Sequence, residues 1–403
     1  MRGLTSAAVL AAVLVVGSAV GAYAQLAVSA NDAKVKLVNG KTEVVQNPPP
    51  DTVSFIDLRA SPPKVLAELN VPNSVVGPPS NVAVSPKEEI VLIAGAMQID
   101  PSDATKTIPD DKVTVIDITP LKPGILKRLG LSKGAAPAPK VIATLQAGKG
   151  AAGIAINKAG TLALVANRAE GTVSAFTIAG MAVTAAGKVT VGGEKSGPSA
   201  IAFTPDGKRA LVTLDADNKI VVLSIDGTKV ELTKRVISAG LRPYGLDITP
   251  KGEVAVVANI GMGGGDADTI SVIDLSEPPR VVNTYTVGPT PEGIKLSPDG
   301  KFVAVTVMNG TNRPTDSPFF KDNGILQIWS RNGTQLTKSA ELPIGKWCQG
   351  IAWSSNSRTL LVQCMVEEEI IIVRYSGLTG RSLQRVGSIR TKGGPAGIRT
   401  AEP

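Results

Sequence analysis

The chain of 403 residues contains no histidine, two cysteines and only 3% aromatic residues. The first absence removes the commonest general base and the commonest zinc or copper ligand. Two thiols are too few for a thiolate metal cluster. The few aromatics, with no dense basic stripe among them, argue against nucleic acid. Charge is weakly one-sided: 42 Lys and Arg against 34 Asp and Glu give +8. An excess this mild and dispersed suits weak contact with an acidic surface or wall polymer. Cys348 and Cys364 lie at equal distances from Asn356, the centre of a predicted hairpin turn. They are expected to face each other across two strands and to form a disulfide, with two buried free thiols as the alternative.

Long apolar runs are also missing, apart from one at the start. Met1-Arg2, an apolar stretch from Ala7 to Ala22 and the closing Ala22-Tyr23-Ala24 have the parts of a secretory signal peptide. Residues 1–24 are therefore expected to be a leader, and residues 25–403 a single domain that is periplasmic or secreted. No cysteine for a lipid anchor follows the leader and no twin-arginine pair precedes it. The mature chain is expected to lack a transmembrane segment and to be a monomer.

What is present in abundance is one repeated phrase. It reads Pro-Ser-Ala-Ile-Ala-Phe-Thr-Pro-Asp-Gly-Lys at 198–208, and returns at 243–253 and 291–301. Weaker copies begin near Ser80, Ala152 and Gln349, and a truncated one spans Pro395–Thr400. Equivalent positions Gly153, Ala200, Gly245 and Gly293 are 45 to 48 residues apart, and longer steps contain insertions. Self-similarity at this period marks a repeat architecture. Each unit holds a short apolar strand, a Pro-Asp-Gly turn, a Val- and Ala-rich strand, an alternating strand and a more polar fourth. Four short strands with regular turns read as a propeller blade. The expected fold is all-β: seven four-stranded antiparallel blades, the last built from the C-terminal strand and three N-terminal ones, Lys34–Leu37, Val53–Leu58 and Val65–Leu69. Asn47–Pro50 is read as a loop, because prolines do not donate to a ladder.

Ala-Leu-Val-Ala-Asn at 163–167, Val-Ala-Val-Val-Ala-Asn at 254–259 and Thr-Ile-Ser-Val-Ile-Asp at 269–274 resemble YVTN-type repeats, and through them the lactonase-like seven-bladed propellers. The resemblance spans nearly the whole mature chain and rests on structural residues, so it implies the fold more than an activity. Lactonase relatives are expected to carry a histidine-containing site, which this chain does not have.

Three loops are enlarged, Gln98–Asp111, Gly261–Asp268 and Asn309–Asn323, and they fall on the face that usually binds ligands. Asp266 and Asp268 in a glycine-rich loop are candidate ligands for Ca²⁺. The inner strands carry unusual polar residues at matching positions: Tyr244, Glu292 and Gln349, then Asp247, Lys295 and Arg399 three places later. They are expected to form either a plain Asp247–Lys295 ion pair or one polar pocket rimmed by Arg242, Arg313 and Trp347. Glu292, Lys295 and Asp247 are the catalytic candidates, with Glu292 as base and Lys295 or Arg399 as electrophilic helper. A basic segment at Gly124–Leu131 is expected to form a short amphipathic helix that docks a partner or a membrane surface. The leading functional expectation is a binding or scaffold protein for an unidentified protein or small polar ligand. The alternatives are a lactonase-type hydrolase and an accessory to a periplasmic dehydrogenase or redox system. The two leading readings separate on Glu292, since a base requires a shifted pKa and an open cavity.

Overall fold

A computed structural model describes residues 26–122, 138–376 and 382–402. The expected leader and the basic segment at Gly124–Leu131 lie outside the described residues. Seven four-stranded antiparallel sheets form a closed ring. Blades 1 to 6 run in chain order through residues 82–146, 151–190, 198–237, 243–288, 291–344 and 348–390, and blade 7 joins the two ends of the chain. Blade 3 shows the plan: Pro198–Phe203 lines the channel, followed outward by Arg209–Leu214, Lys219–Asp226 and Lys229–Ile237.

Burial explains the composition of each strand. Second strands such as Leu162–Asn167 and Val254–Asn259 are buried at every position, because both faces pack on neighbouring blades. They therefore read as continuous apolar runs rather than alternating ones. Outer strands such as Ser382–Arg390 are mostly exposed and polar. The core is thus a set of inter-blade layers, for example Leu164 and Ala166 of blade 2 with Val212 and Leu214 of blade 3. Each such Leu or Val contributes about 1.5–3 kcal/mol by leaving water.

The repeated Thr/Ser-Pro-Asp-Gly phrase is a self-contained turn. In blade 3 the Thr204 hydroxyl donates to Asp206 Oδ1 at 2.5 Å, and Asp206 in turn accepts the Lys208 N–H at 3.0 Å. Gly207 then takes φ +68°, a conformation that glycine adopts without a Cβ clash. Ser297, Asp299 and Gly300 repeat the device in blade 5.

The recurrent inner-strand glycine has a different cause. A Cβ at Gly293 would lie 1.8 Å from the Gln349 carbonyl oxygen of the next blade, and one at Gly153 would lie 2.0 Å from the Ser199 oxygen. Threonines on second strands fasten the same seam. Thr306 Oγ1 accepts the Gly293 N–H at 3.0 Å and donates to the Gln349 carbonyl at 2.9 Å, and Thr213 does the same between Ala200 and Tyr244. In blade 6 the Gln363 amide donates to the Gly397 carbonyl at 3.1 Å.

The closing blade departs from expectation in one strand. Its order is Gly394–Thr400, Leu26–Asp32, Thr52–Asp57, Lys64–Asn70. Leu26–Asp32, not Lys34–Leu37, is the second strand, because its residues are all buried and suit a position packed on both faces. Val35–Val38 and Lys41–Val44 instead form a separate hairpin turned at Asn39-Gly40. Lys34 anchors its foot by ion pairs to Asp32 at 3.1 Å and Asp51 at 2.9 Å. The expected loop at Gln98–Asp111 is likewise largely a hairpin, Met97–Asp100 with Asp103–Pro109.

Both hairpins and the two long loops at 261–267 and 308–323 connect second to third strands, so all four stand on one face. They interlock there. Asn39 Oδ1 accepts the Thr315 N–H at 2.8 Å, and the Phe319 ring lies against Gly265.

The two glycine roles predict different costs. Gly293→Ala should lower stability in denaturant unfolding by about 3 kcal/mol through overpacking against backbone. Gly207→Ala, where the added methyl group meets open space, should cost only about 1 kcal/mol from its left-handed backbone.

Candidate functional site

The inner strands run along the channel, so residues three apart on one strand are separated by roughly 10 Å. The single pocket expected from Tyr244, Asp247, Glu292, Lys295, Gln349 and Arg399 is therefore divided between the two ends. Tyr244, Glu292 and Gln349 stand at the mouth beneath the interlocked loops, together with Arg242 and Trp347. Asp247, Lys295 and Arg399 stand at the opposite mouth.

The loop-side mouth contains a cavity of about 260 Å³. Its roof is the N-terminal hairpin through Leu37 and Thr42, and its walls include Arg242, Thr290, Asn312 and Trp347, with Glu292 beneath. This is near the lower end of the range for small-molecule pockets, about 300 Å³ and upward. Burial raises the Glu292 pKa to about 8, although the Arg168 and Arg242 guanidiniums pull it the other way. One Glu292 carboxyl oxygen has no hydrogen-bond partner, and neither have the Trp347 indole nitrogen, Asn312 Oδ1 or the Gln349 amide atoms, all of them buried. Native proteins leave few such atoms, and a cluster beside one cavity has room for water or a small polar molecule to complete it.

The cations beside Glu292 are held in place. Asp215 accepts Arg168 at 2.8 Å and Arg242 at 3.0 Å on one carboxylate oxygen. The Arg168 guanidinium also lies 5.4 Å from the centre of the Tyr244 ring, and burial pushes the Tyr244 hydroxyl pKa upward. Two guanidiniums against one aspartate leave the mouth with one positive charge whenever Glu292 is protonated.

Backbone strain marks the same three blades. Two residues before Ala152 and Ser199, blades 2 and 3 place Gly150 and Gly197 at φ +71° and +64°. At the equivalent positions, blades 4, 5 and 6 place Arg242, Thr290 and Trp347 at φ +54°, +56° and +46°. A non-glycine residue there costs about 1–2 kcal/mol. All three line the cavity, and such strain concentrates where side chains are needed for function. Asp268 braces this arrangement: its Oδ2 accepts the Thr290 N–H at 2.8 Å. It is thus occupied at the seam, and among the described residues no group of three metal-ligating side chains includes it or Asp266. Arg313 belongs to the roof, its backbone against Gly40.

At the opposite mouth Lys295 bonds Asp247 at 3.1 Å and also pairs with Glu402, so the plain ion pair is present there. Asp247 Oδ2 accepts the Leu296 N–H at 2.8 Å. Burial raises the Asp247 pKa and lowers that of Arg399. Lys295 is therefore remote from Glu292, and Arg242 and Arg168 are the cations beside it. Arg168, Asp215 and Asn312 were not legible from the inner-strand pattern. They sit in turns after second strands, where Arg168 directly follows the Ala-Leu-Val-Ala-Asn string.

Cys348 and Cys364 form a buried disulfide with an S–S distance of 2.01 Å, between directly paired residues of blade 6. It fixes the strand end that carries Trp347 and Gln349. Among the described residues no helix is long and apolar enough to cross a membrane.

The chain resembles the lactonase-like seven-bladed propellers. The family model "Lactonase, 7-bladed beta-propeller" matches residues 110–239. Among solved structures, the chain is similar to a Bacteroides fragilis protein provisionally named 6-phosphogluconolactonase, at 17% identity and a TM-score of 0.67, over 94% of this chain and 98% of that one. It is similar to the periplasmic gluconolactonase of Pseudomonas aeruginosa at 15% identity and a TM-score of 0.66, over 94% and 100%. It is also similar to the hydrazine synthase of Kuenenia stuttgartiensis at 19% identity and a TM-score of 0.59, over 82% and 91%. Identities this low speak for the fold alone. No curated protein matches the chain by sequence.

Two outcomes test the site. Thr290→Gly should raise stability by about 1 kcal/mol in denaturant unfolding, because it relieves left-handed strain at a β-branched residue. The Glu292 carboxyl ordinarily titrates near 4.5 and here near 8. The folded protein thus holds this proton more tightly than the unfolded chain, and the stability it supplies is lost as pH rises from about 4.5 to 8. Glu292→Gln should accordingly be close to wild type at pH 5 and distinctly more stable at pH 9.

Proposed function

We propose that the loop-side cavity binds a small polyhydroxylated lactone and hydrolyses it to the open hydroxy acid. The observation that carries this reading is Glu292: a buried carboxyl, its pKa raised to about 8, one oxygen without a partner, beside two guanidiniums at a cavity. A purely structural carboxyl in that setting would be paired. The chemistry needs no histidine. Ionised Glu292 takes a proton from water as the water oxygen attacks the lactone carbonyl. Arg242, which lines the cavity, and the Trp347 N–H stabilise the negative oxygen that forms. As the ring C–O bond breaks, the proton on Glu292 passes to the departing alkoxide. Arg168 and Asp215 hold Arg242 and the local positive charge in position. The resemblance to lactonase-like propellers supports the same reading.

The site of action in this reading is the periplasm or the exterior. Residues 1–24 act as the leader, and residues from 25 onward form one domain. The disulfide supports this, since cytosolic thiols are kept reduced.

The test is hydrolysis of glucono-1,5-lactone by the chain from residue 25 onward, followed by acid release and corrected for spontaneous opening. Turnover should rise with pH through about 8 as the Glu292 carboxyl ionises, and Glu292→Gln should lower kcat at least 100-fold. Absence of turnover, together with a Tm raised by gluconate in the wild type but not in Glu292→Gln, would replace the hydrolase with a receptor for hydroxy acids. No turnover and no shift would favour a scaffold for a protein partner.

A further inference from the structure

The mouth opposite the loops is a second, separately built site. Its central charges are Lys295 and Arg399 against Asp247 and Glu402, with the exposed Lys158 at the cavity edge. The two carboxylates are held differently. Asp247 is an integral part of the wall: buried, bonded to Lys295 at 3.1 Å, and fixed by the Leu296 N–H at 2.8 Å. Glu402 follows the last strand, Gly394–Thr400, and its side chain is 59% exposed even though its carboxylate pairs with Lys295. Remove that one carboxylate and two cations face one anion at a buried position, a net positive charge that disfavours burial unless another anion replaces it.

A cavity of about 90 Å³ adjoins this cluster. Pro205, Pro250 and Pro298, from the turns of three successive blades, line it together with Trp353, Lys295 and Glu402. The volume is that of about three waters, and the proline and indole surfaces suit a short aliphatic group. The Trp353 indole also donates to the Lys295 carbonyl at 3.3 Å, which couples an optical reporter to the site. A carboxylate on a two- or three-carbon stem matches both halves of the mouth, and the Glu402 side chain has that chemistry.

We propose that this mouth is a binding site for small carboxylates, occupied in cis by the Glu402 side chain, which an external carboxylate of similar size displaces. The site is independent of the loop-side cavity.

Sodium propionate is the probe, since it reproduces a glutamate side chain detached from its backbone. In the full mature chain, Glu402→Ala should bind propionate saturably, seen in tryptophan fluorescence and in Tm. Its affinity should be at least tenfold higher than that of wild type, where Glu402 competes. Glu402→Gln, which keeps the shape but loses the charge, should fall on the side of Glu402→Ala and serves in its place should that variant fold poorly. Adding Asp247→Asn, Lys295→Gln and Arg399→Gln together, which removes the rest of the four-charge cluster without leaving one of its charges unpaired, should abolish the gain. Glu292→Gln should leave the propionate response unchanged, separating this result from the fate of the lactonase reading. The proposal is overturned if wild type and both Glu402 variants respond alike, if chloride at equal ionic strength reproduces the response, or if the neutralised variant still binds.

Discussion

Everything in this molecule depends on how closely the inner strands of adjacent blades approach. An inner strand has a neighbour on only one side of its own sheet, so its free carbonyls face the channel seam with no ladder partner. Left unpaired and buried, each would cost about 1–3 kcal/mol. The chain resolves this across blades. Thr213, Thr306 and Gln363 extend from second strands to the carbonyls of Tyr244, Gln349 and Gly397. The approach leaves no room for a Cβ at Gly153 or Gly293. These bonds hold Tyr244 and Gln349 at the height where the polar mouth forms, so the device that closes the ring also positions the site.

The two ends of the channel then follow opposite electrostatic designs. At one, charges are matched and each is bonded to another group of the same chain. At the other, buried polar atoms are left without partners beneath a roof, and three residues tolerate a backbone that glycine adopts more easily. Blades 2 and 3 use glycine where blades 4 to 6 use Arg242, Thr290 and Trp347. The template is common to all of them, so the contrast isolates what the site adds to the fold.

The architecture was readable in the sequence because its determinants are local and repeated: the Thr/Ser-Pro-Asp-Gly turn, the continuous apolar second strand and the inner glycine. Closure by both chain ends was readable too, since the truncated phrase at Pro395–Thr400 leaves a blade incomplete. The identity of its second strand was not. Leu26–Asp32 closely follows the apolar run expected to be a leader, and no copy of the turn phrase precedes it to mark it as a second strand. Tyr244, Glu292 and Gln349 were legible as departures from a bland repeat position. Their separation from Asp247 and Lys295 was not, because a list of positions says nothing about the axial rise along a strand. Arg168 and Asp215 were missed because their role arises from a contact between residues 47 apart in the chain, and neither turn carries a sequence signal of it.

Blade 7 also sets an order in time. Its second strand, from residue 26, pairs with a first strand that ends at residue 400. The two strands lie at opposite ends of the chain, so the earliest strand has no partner until the last one is available. Until then its edge is an unpaired template, and every other blade can form before the ring closes. This pairing closes the longest loop in the molecule, the kind of contact that slows folding. The arrival of the strand that completes the circle also brings Glu402 to Lys295, so the far mouth is filled at the moment the channel comes into existence.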